Sequence, residues 1–238
     1  MNVLKSENPF ETAAVIAVDK LAQAIERHDE AVWVLAGGST PLAAYEVIAE
    51  KYSTSLDWSK VWVCLGDERC VSETDPESNW GQIKEVLLDN LLFKIEHMLQ
   101  PVYDEVNPPS MANTYEAALS ALPKNSQGRP RFDHVWLGIG EDGHTMSLFP
   151  GRDDSSSSLV EFIDNAPKPP SKRISLTLSA LTGSDSCLVL ASGEVKVAAV
   201  RGLISDDMAL PITRAVKAIE SSGGSVALLT DTAAAPLI

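Results

Sequence analysis

Residues Ala31–Pro41 read AVWVLAGGSTP, and this stretch predicts the passage from a buried strand into a helix. An apolar run leads into two glycines, two hydroxyl residues and a proline, and proline is well accepted in the first turn of a helix. Almost continuous apolar character is typical of a strand that is covered on both faces. Strands of this kind belong to parallel sheets with helices packed on either side.

Short apolar runs alternate with stretches of helical spacing along most of the chain. The strand candidates are Ala31–Ala36, Val61–Leu65, His134–Ile139, Ile174–Leu178, Cys187–Ala191 and Val226–Thr230. The helix candidates are Thr12–Ile25, a segment after Pro41, a segment capped by Ser78, a segment that starts near Asn113, and Glu194–Ile204. This order predicts an α/β fold with a largely parallel sheet flanked by helices on both faces. The length of 238 residues fits one large domain or two closely joined ones.

The chain carries 19 basic and 33 acidic side chains, which gives a formal net charge of −14. A surplus of negative charge repels phosphate backbones and anionic lipids, so we expect neither nucleic acid nor a membrane as a partner. No apolar run reaches the roughly 18 residues that span a bilayer, and Met1–Phe10 lacks the apolar core of a signal peptide. We therefore expect a cytoplasmic protein. Cys64, Cys70 and Cys187 show no CxxC spacing, which predicts reduced, buried thiols and no zinc site.

The glycine-rich turn after the first strand candidate is the first feature that points to chemistry. Gly38 lets the backbone approach an anion closely, Ser39 and Thr40 offer hydroxyl and N–H donors, and the helix that follows presents its positive end. This arrangement predicts a phosphate cradle. A tight turn with an ordinary Ser or Thr cap explains the same residues. The turn is not a Walker A loop, because no GKS or GKT follows.

A charged segment, Gly66–Val71 (GDERCV), ends the next strand candidate. Ligands bind at the carboxyl ends of parallel strands, so Asp67, Glu68 and Arg69 are expected at the same edge of the sheet as the glycine turn. An arginine there can make a paired contact with a phosphate or carboxylate. A solvated charged turn is the alternative.

Leu137–Gly151 reads LGIGEDGHTMSLFPG and contains the pattern GxGxxG. A dinucleotide-binding loop is rejected, because no long helix can follow across Phe149-Pro150-Gly151 and two acidic residues would face the pyrophosphate. The glycines, Gly143 among them, instead predict a sharp turn that holds His144 at a strand end beside Asp142. Such a pair supplies a general base and a carboxylate that fixes its tautomer. The remaining histidines, His28, His97 and His134, are interpreted as structural or surface residues.

Two further cations are candidates for an anion site. Lys196 opens a helix, where a cation is unfavourable unless an anion is bound nearby, and Arg173 heads the strand candidate that follows Pro167–Pro170. A surface lysine on a solvated turn explains Lys196 equally well. The serine-rich stretch Asp153–Ser158 is expected to be a flexible, exposed loop, and the loop Arg152–Ser158 is open to two interpretations, a lid or simple disorder.

Taken together, LAGGSTP, GDERCV, DPESN, GIGEDGHTMSLFPG, NAPKPPSKRISLTLSAL and GEVK resemble the 6-phosphogluconolactonase family in their order and spacing, over nearly the whole chain. That family shares a Rossmann-like α/β fold with glucosamine-6-phosphate deaminases. The chain has DER where deaminases are expected to have DEY, and GHTMSLFP where they carry GHIAFNEP. The resemblance thus implies a single lactonase-like domain over residues 1–238.

The resemblance implies hydrolysis of 6-phospho-D-glucono-1,5-lactone in the oxidative pentose phosphate pathway. His144 would be the general base, Asp142 would orient it, and Asp67 would contact the sugar. The implied ligands of the phosphate and the polarised oxygens are Gly38, Ser39, Thr40, Arg69, Gly143, Arg173 and Lys196. No metal and no cofactor are expected, and the chain is expected to act as a monomer or weak homo-oligomer. A deaminase and a non-catalytic sugar-phosphate sensor, which has no need of His144, stay open as alternatives.

Overall fold

The computed structural model describes residues 1–235, and it contains two sheets. The strands are β1 (Asn2–Lys5), β2 (Ala31–Leu35), β3 (Val61–Leu65), β4 (Asp67–Arg69), β5 (Met98–Leu99), β6 (His134–Gly138), β7 (Val160–Ile163), β8 (Arg173–Leu176), β9 (Ser186–Ala191) and β10 (Ser225–Thr230). Seven of them form one sheet in the order β1-β10-β9-β6-β2-β3-β5. Every neighbouring pair in that sheet is parallel, which confirms the predicted α/β fold.

Seven α-helices connect and cover these strands. They are α1 (Pro9–His28), α2 (Ser39–Lys51), α3 (Asn79–Val86), α4 (Ser110–Leu119), α5 (Leu178–Leu181), α6 (Val197–Ile204) and α7 (Pro211–Ser221), all within residues 1–235. The Ser78 hydroxyl accepts a hydrogen bond from the N–H of Gly81, so this residue caps α3 as predicted. The segment Glu194–Lys196 is a short 3₁₀ turn before α6, and the sequence interpretation did not include α7.

The parallel sheet is buried on both faces, as the apolar runs predict. Along β2, Val32 and Val34 face one core while Trp33 faces the other. Trp33, Tyr45 and Trp136 form an aromatic cluster, in which the Tyr45 and Trp136 rings stack at 4.9 Å. The Tyr45 hydroxyl also bonds to the N–H and the carbonyl of Ala36, at 3.0 and 3.1 Å. This cluster therefore fixes the turn by which β2 leaves the sheet.

A second sheet of three antiparallel strands, in the order β4-β8-β7, corrects one prediction. Ile174–Leu178 was expected in the parallel sheet, but its first part, within Arg173–Leu176, pairs with Asp67–Arg69 and Val160–Ile163. Ile174 and Leu176 are fully buried, so an apolar run shows burial here without showing which strand lies beside it. Leu178 begins α5 instead of ending the strand.

The serine-rich segment is less free than predicted. Arg152–Ser158 is largely exposed, but the Nε atom of Arg214 lies 2.6 Å from the Asp154 carboxylate, whose side chain is only 7% exposed. This pair ties the segment to α7. The three cysteines are free and buried, as predicted. Within residues 1–235, each helix is too short or too polar to cross a lipid bilayer.

Candidate active site

A cleft of about 480 Å³ opens at the carboxyl ends of β9, β6, β2 and β3. Its wall is built from segments that are far apart in sequence but leave neighbouring strands at one edge of the sheet. The lining residues that carry polar groups are Gly38, Ser39, Thr40, Asp67, Arg69, Asn79, Gly140, His144, Lys168, Arg173, Ser192 and Lys196. The structure thus brings together most of the site residues predicted from sequence. Asp142 and Gly143 are the exceptions, because neither lines the cleft.

The glycine turn after β2 presents an uncapped helix to the cleft. Gly38 has φ 101° and ψ 161°, a conformation that residues with a side chain rarely adopt, and no side chain caps the first turn of α2. Because Pro41 has no N–H, the free donors of this turn are concentrated at Ser39 and Thr40. The turn therefore offers N–H groups, two hydroxyls and the positive end of a helix to an anion.

Gly193 repeats this geometry on the other side of β6, with φ 91° and ψ 151° at the end of β9. Its N–H and the Ser192 hydroxyl donate to the Asp231 carboxylate, at 3.0 and 2.6 Å. These bonds fix the turn that delivers Lys196 to the cleft.

His144 and Asp142 form a hydrogen-bonded pair in the turn after β6. The Nδ1 atom of His144 lies 2.5 Å from Oδ1 of Asp142, and the His144 N–H donates to the same oxygen at 3.2 Å. Burial works against ionisation of Asp142, but the hydrogen bonds from His144 lower the pKa of this carboxyl below its usual value. An ionised Asp142 holds the proton of His144 on Nδ1, which leaves Nε2 with the lone pair. The pair thus has the arrangement of a general base and its orienting carboxylate.

Gly140 makes room for this pair. A Cβ atom at this position would lie 2.0 Å from Nδ1 of His144 and 2.7 Å from Oδ1 of Asp142. Gly143 has φ 80°, and a Cβ there would meet Leu210 at 2.7 Å. The glycine pattern of this segment thus serves side-chain packing around a histidine, as predicted, and residues 139–159, all of them described, reach β7 without a helix.

Asp67 faces the cleft from the start of β4, and its carboxylate is held by a buried hydroxyl. The Ser147 hydroxyl donates to Oδ2 of Asp67 at 2.6 Å, while the Asn79 amide donates to the Asp67 carbonyl at 3.0 Å. Glu68 was expected at this edge as well, but its side chain is buried and does not line the cleft. Its carboxylate accepts from the N–H groups of Asn79 and Trp80, at 2.8 and 2.7 Å, so its role is to hold the start of α3.

Four cationic side chains line the cleft: Arg69, Lys168, Arg173 and Lys196. Arg69 donates to the Glu77 carbonyl at 2.5 Å and lies 3.8 Å from the Glu77 carboxylate. Arg173 is only 5% exposed, and burial lowers its pKa while Asp67 opposes that shift. Burial also lowers the pKa of Lys196. An acidic protein therefore concentrates positive charge at one place, which suits a small anion.

Sequence interpretation missed three residues that matter for this geometry. Lys168 stands in a proline-rich stretch that was interpreted as a stiff lead into the next strand, and nothing in that local pattern indicates a site. Ser147 and Asn79 act through Asp67. Hydrogen bonds between residues 67 and 147 depend on tertiary folding, so no sequence spacing predicts them.

The histidine at the start of β6 is structural, as predicted. Nδ1 of His134 lies 2.8 Å from the Ser186 hydroxyl, which itself donates to the Asp133 carbonyl, and Nε2 accepts from Trp136 at 2.9 Å. Both ring nitrogens are satisfied in the neutral form. Burial lowers the pKa of His134 to about 3.

One group of possible metal ligands, His28, Asp133 and Asp185, is present among the described residues. It lies at the amino ends of β6 and β9, on the opposite edge of the sheet from the cleft. Arg131 and Arg27 already pair with the two carboxylates, at 3.1 and 3.3 Å. These charges leave little attraction for a cation.

The chain is similar to known proteins over most of its length. Residues 5–223 match the model of the glucosamine-6-phosphate isomerases/6-phosphogluconolactonase family. A 6-phosphogluconolactonase of Caulobacter vibrioides is 34% identical over 220 residues, which cover 89% of this chain and 89% of the relative. The crystal structure of 6-phosphogluconolactonase from Leishmania guyanensis superposes with a TM-score of 0.83 at 29% identity, over 100% of this chain and 98% of the other.

The fold by itself does not separate the two activities of this group. A monomeric glucosamine-6-phosphate deaminase superposes with a TM-score of 0.80 over 100% of both chains, at 24% identity. At that identity the likeness shows a common fold alone. The match of the family model and the identity to the Caulobacter relative extend over most of the sequence. The chain belongs to the glucosamine-6-phosphate isomerases/6-phosphogluconolactonase family.

Proposed function

We propose that the chain hydrolyses 6-phospho-D-glucono-1,5-lactone to 6-phospho-D-gluconate, a step of the oxidative pentose phosphate pathway. The observation that carries the proposal is the His144–Asp142 pair, which stands in a cleft with an uncapped helix and four cations. The names of the Caulobacter and Leishmania relatives support the same reaction. The proposal places the enzyme in the cytoplasm, as one domain over residues 1–238 that acts as a monomer or weak homo-oligomer without a metal or cofactor.

His144 acts as the general base of the proposed reaction. Its Nε2 atom takes a proton from water while the water oxygen attacks the lactone carbonyl, and Asp142 stabilises the imidazolium that forms. The same imidazolium then returns the proton to the ring oxygen as the C–O bond breaks. A δ-lactone is an activated ester, so a positioned base, about 10²- to 10⁴-fold in rate, and electrostatic stabilisation of the oxyanion provide the main effects.

The remaining cleft residues bind the substrate. Gly38, Ser39 and Thr40 supply donors at the start of α2, and Arg69, Arg173 and Lys196 supply the positive field for the phosphate and polarised oxygens. Asp67, with its carboxylate fixed by Ser147, accepts from the sugar hydroxyls. Gly143 contributes by shaping the turn that carries His144.

A deaminase remains the alternative because a deaminase of this group shares the fold. The segment Asp67–Arg69 and the sequence after His144 favour the lactonase, since they differ from the deaminase patterns DEY and GHIAFNEP. A sugar-phosphate sensor has no use for a base held by a carboxylate in the cleft.

The decisive experiment presents freshly generated 6-phosphogluconolactone to the wild type and to His144→Ala, with the spontaneous hydrolysis subtracted. We expect kcat to fall by about 10²-fold or more with KM nearly unchanged, because the base is lost while the phosphate ligands remain. His28→Ala removes an exposed histidine outside the cleft and is expected to keep full activity. Ammonia release from glucosamine 6-phosphate without lactone hydrolysis would refute the assignment, and unchanged turnover in His144→Ala would remove this residue from the mechanism.

A further inference from the structure

The guanidinium of Arg173 is engaged with the backbone of the segment Ala166–Ser171, here called the strap. Its Nε atom donates to the Pro170 carbonyl at 2.9 Å, and its Nη2 atom donates to the carbonyls of Lys168 and Pro169, at 2.9 and 3.3 Å. Two of its three nitrogens are thus committed to three consecutive carbonyls. The Arg173 guanidinium also lies 5.6 Å over the ring of Phe149. These contacts indicate that Arg173 holds the backbone of the strap, and they leave few of its N–H groups available to bind phosphate.

The strap is closed on itself and forms part of the cleft wall. The Ala166 N–H donates to the Ser171 carbonyl at 2.9 Å, which closes the loop around the Arg173 side chain. Lys168 and Pro169 both line the cleft. The bonds from Arg173 therefore fix the backbone of Lys168, which lines the cleft.

Lys168 and Lys196 share the cleft without ion-pair partners. Among residues 1–235, no carboxylate lies within 4.0 Å of the ammonium group of either lysine, whereas Lys51, Lys60, Lys84 and Lys217 each pair with an acidic side chain. Burial lowers the pKa of Lys196, and Glu141 opposes that shift. The nearby charge of Lys168 lowers the pKa of Lys196 further. Two like charges that converge in a protein of net charge −14 are stabilised when an anion lies between them.

Arg69 differs from these lysines because its charge is already partly compensated. Its Nη1 atom donates to the Glu77 carbonyl and lies 3.8 Å from the Glu77 carboxylate. The four cations of the cleft thus divide into two that are engaged with the protein and two that are free.

We propose that Lys168 and Lys196 form the pair that binds the substrate phosphate, and that Arg173 is a positioning residue that acts by holding the strap. The inference rests on the proposed function for the identity of the substrate. It assigns a specificity-determining role to Lys168 and divides the work among the cations. It also predicts that the geometry of Arg173 matters more than its charge.

The test measures binding without turnover, by calorimetry with inorganic phosphate and with 6-phosphogluconate. We expect Lys168→Ala to weaken both ligands about 10-fold or more, because a charge-assisted contact is lost. Lys172→Ala is the matched control, since this exposed lysine also precedes Arg173 in the sequence but does not line the cleft. The Lys172→Ala variant should bind both ligands within about 2-fold of the wild type. Binding by Lys168→Ala that equals the wild type would overturn the lysine pair.

The role of Arg173 is tested with Arg173→Lys, which keeps the charge but replaces the planar guanidinium, whose two nitrogens reach the three carbonyls, by a compact ammonium group of different geometry. We expect it to weaken 6-phosphogluconate binding as much as Lys168→Ala does, and the double variant to bind no worse than either single variant within about 2-fold. Losses that multiply in the double variant, or normal binding by Arg173→Lys, would refute the positioning role. Kinetics with 6-phosphogluconolactone should show the loss in KM, with kcat of Lys168→Ala within about 2-fold of the wild type.

These measurements also separate the inference from the reaction on which it rests. If the wild type hydrolyses no lactone but Lys168→Ala still weakens phosphate, the proposed reaction fails and the lysine pair stands. If the lactone is hydrolysed and Lys168→Ala binds phosphate normally, the reaction stands and the lysine pair fails.

Discussion

Replacing Gly140 by alanine is expected to damage catalysis without damaging the fold. The new Cβ atom would lie 2.0 Å from Nδ1 and 2.2 Å from Cε1 of His144, and real contacts of a Cβ atom do not fall below 3.0 Å. The imidazole must therefore move by about 1 Å, and a misplacement of that size costs about 10²-fold in rate. Gly140 does not have a positive φ, so the backbone itself accepts alanine.

The assay follows acid release from freshly generated 6-phosphogluconolactone, and thermal unfolding is measured on the same samples. We expect kcat of Gly140→Ala to fall about 10²-fold, while Tm stays within a few degrees of the wild type. His28→Ala is the control, because it replaces an exposed side chain outside the cleft, and its kcat should be retained. Full turnover by Gly140→Ala would show that the observed position of His144 is not the one that catalysis requires.

Two further predictions concern the residue that holds His144 and the buried histidine at the start of β6, His134. Asp142→Asn should lower kcat by about 10²- to 10⁴-fold with a smaller change in KM, because an amide does not hold the proton of His144 on Nδ1, and equal kcat values for variant and wild type would exclude the orienting role. His134 is neutral in the fold, with a pKa of about 3, and takes up a proton near pH 6.5 when unfolded, so its share of stability is present above pH 6.5 and is lost as the pH falls towards 3. That loss is about 1.4 kcal/mol per pH unit, and urea unfolding at pH 7 and pH 4.5 should show a smaller pH dependence in His134→Gln than in the wild type or His28→Gln; identical pH dependence in all three would contradict it.

The sequence was most informative where a residue's neighbours along the chain determine its environment. The apolar runs around Trp33, Val63 and Val189 predicted buried parallel strands, because a strand covered on both faces leaves no polar alternation. The glycines around His144 predicted a tight turn, and the structure shows the hydrogen bond to Asp142 that such a turn permits.

Features that depend on tertiary pairing were not accessible in this way. The strand partners of Ile174 lie in segments that are charged or only four residues long, Asp67–Arg69 and Val160–Ile163, so neither shows a strand pattern. Lys168 lines the cleft in a segment whose carbonyls accept from Arg173, and the pattern of prolines around it predicts an extended segment just as well. The roles of the cations therefore required the geometry of the folded chain.

The cleft combines the local His144–Asp142 pair with segments that are far apart in sequence, and this affects the stability of the protein. The histidine and its carboxylate are two positions apart, but β2 and β6, which hold the two halves of the cleft, are connected by a hydrogen bond between residues 101 positions apart. An anion that binds across these segments binds only the folded sheet, so ligand at about 100 times its dissociation constant should add about 2.7 kcal/mol to the free energy of unfolding. Phosphorylated ligands would then protect the whole sheet against heat and proteases, and the amount of substrate in the cell would set the working stability of the enzyme.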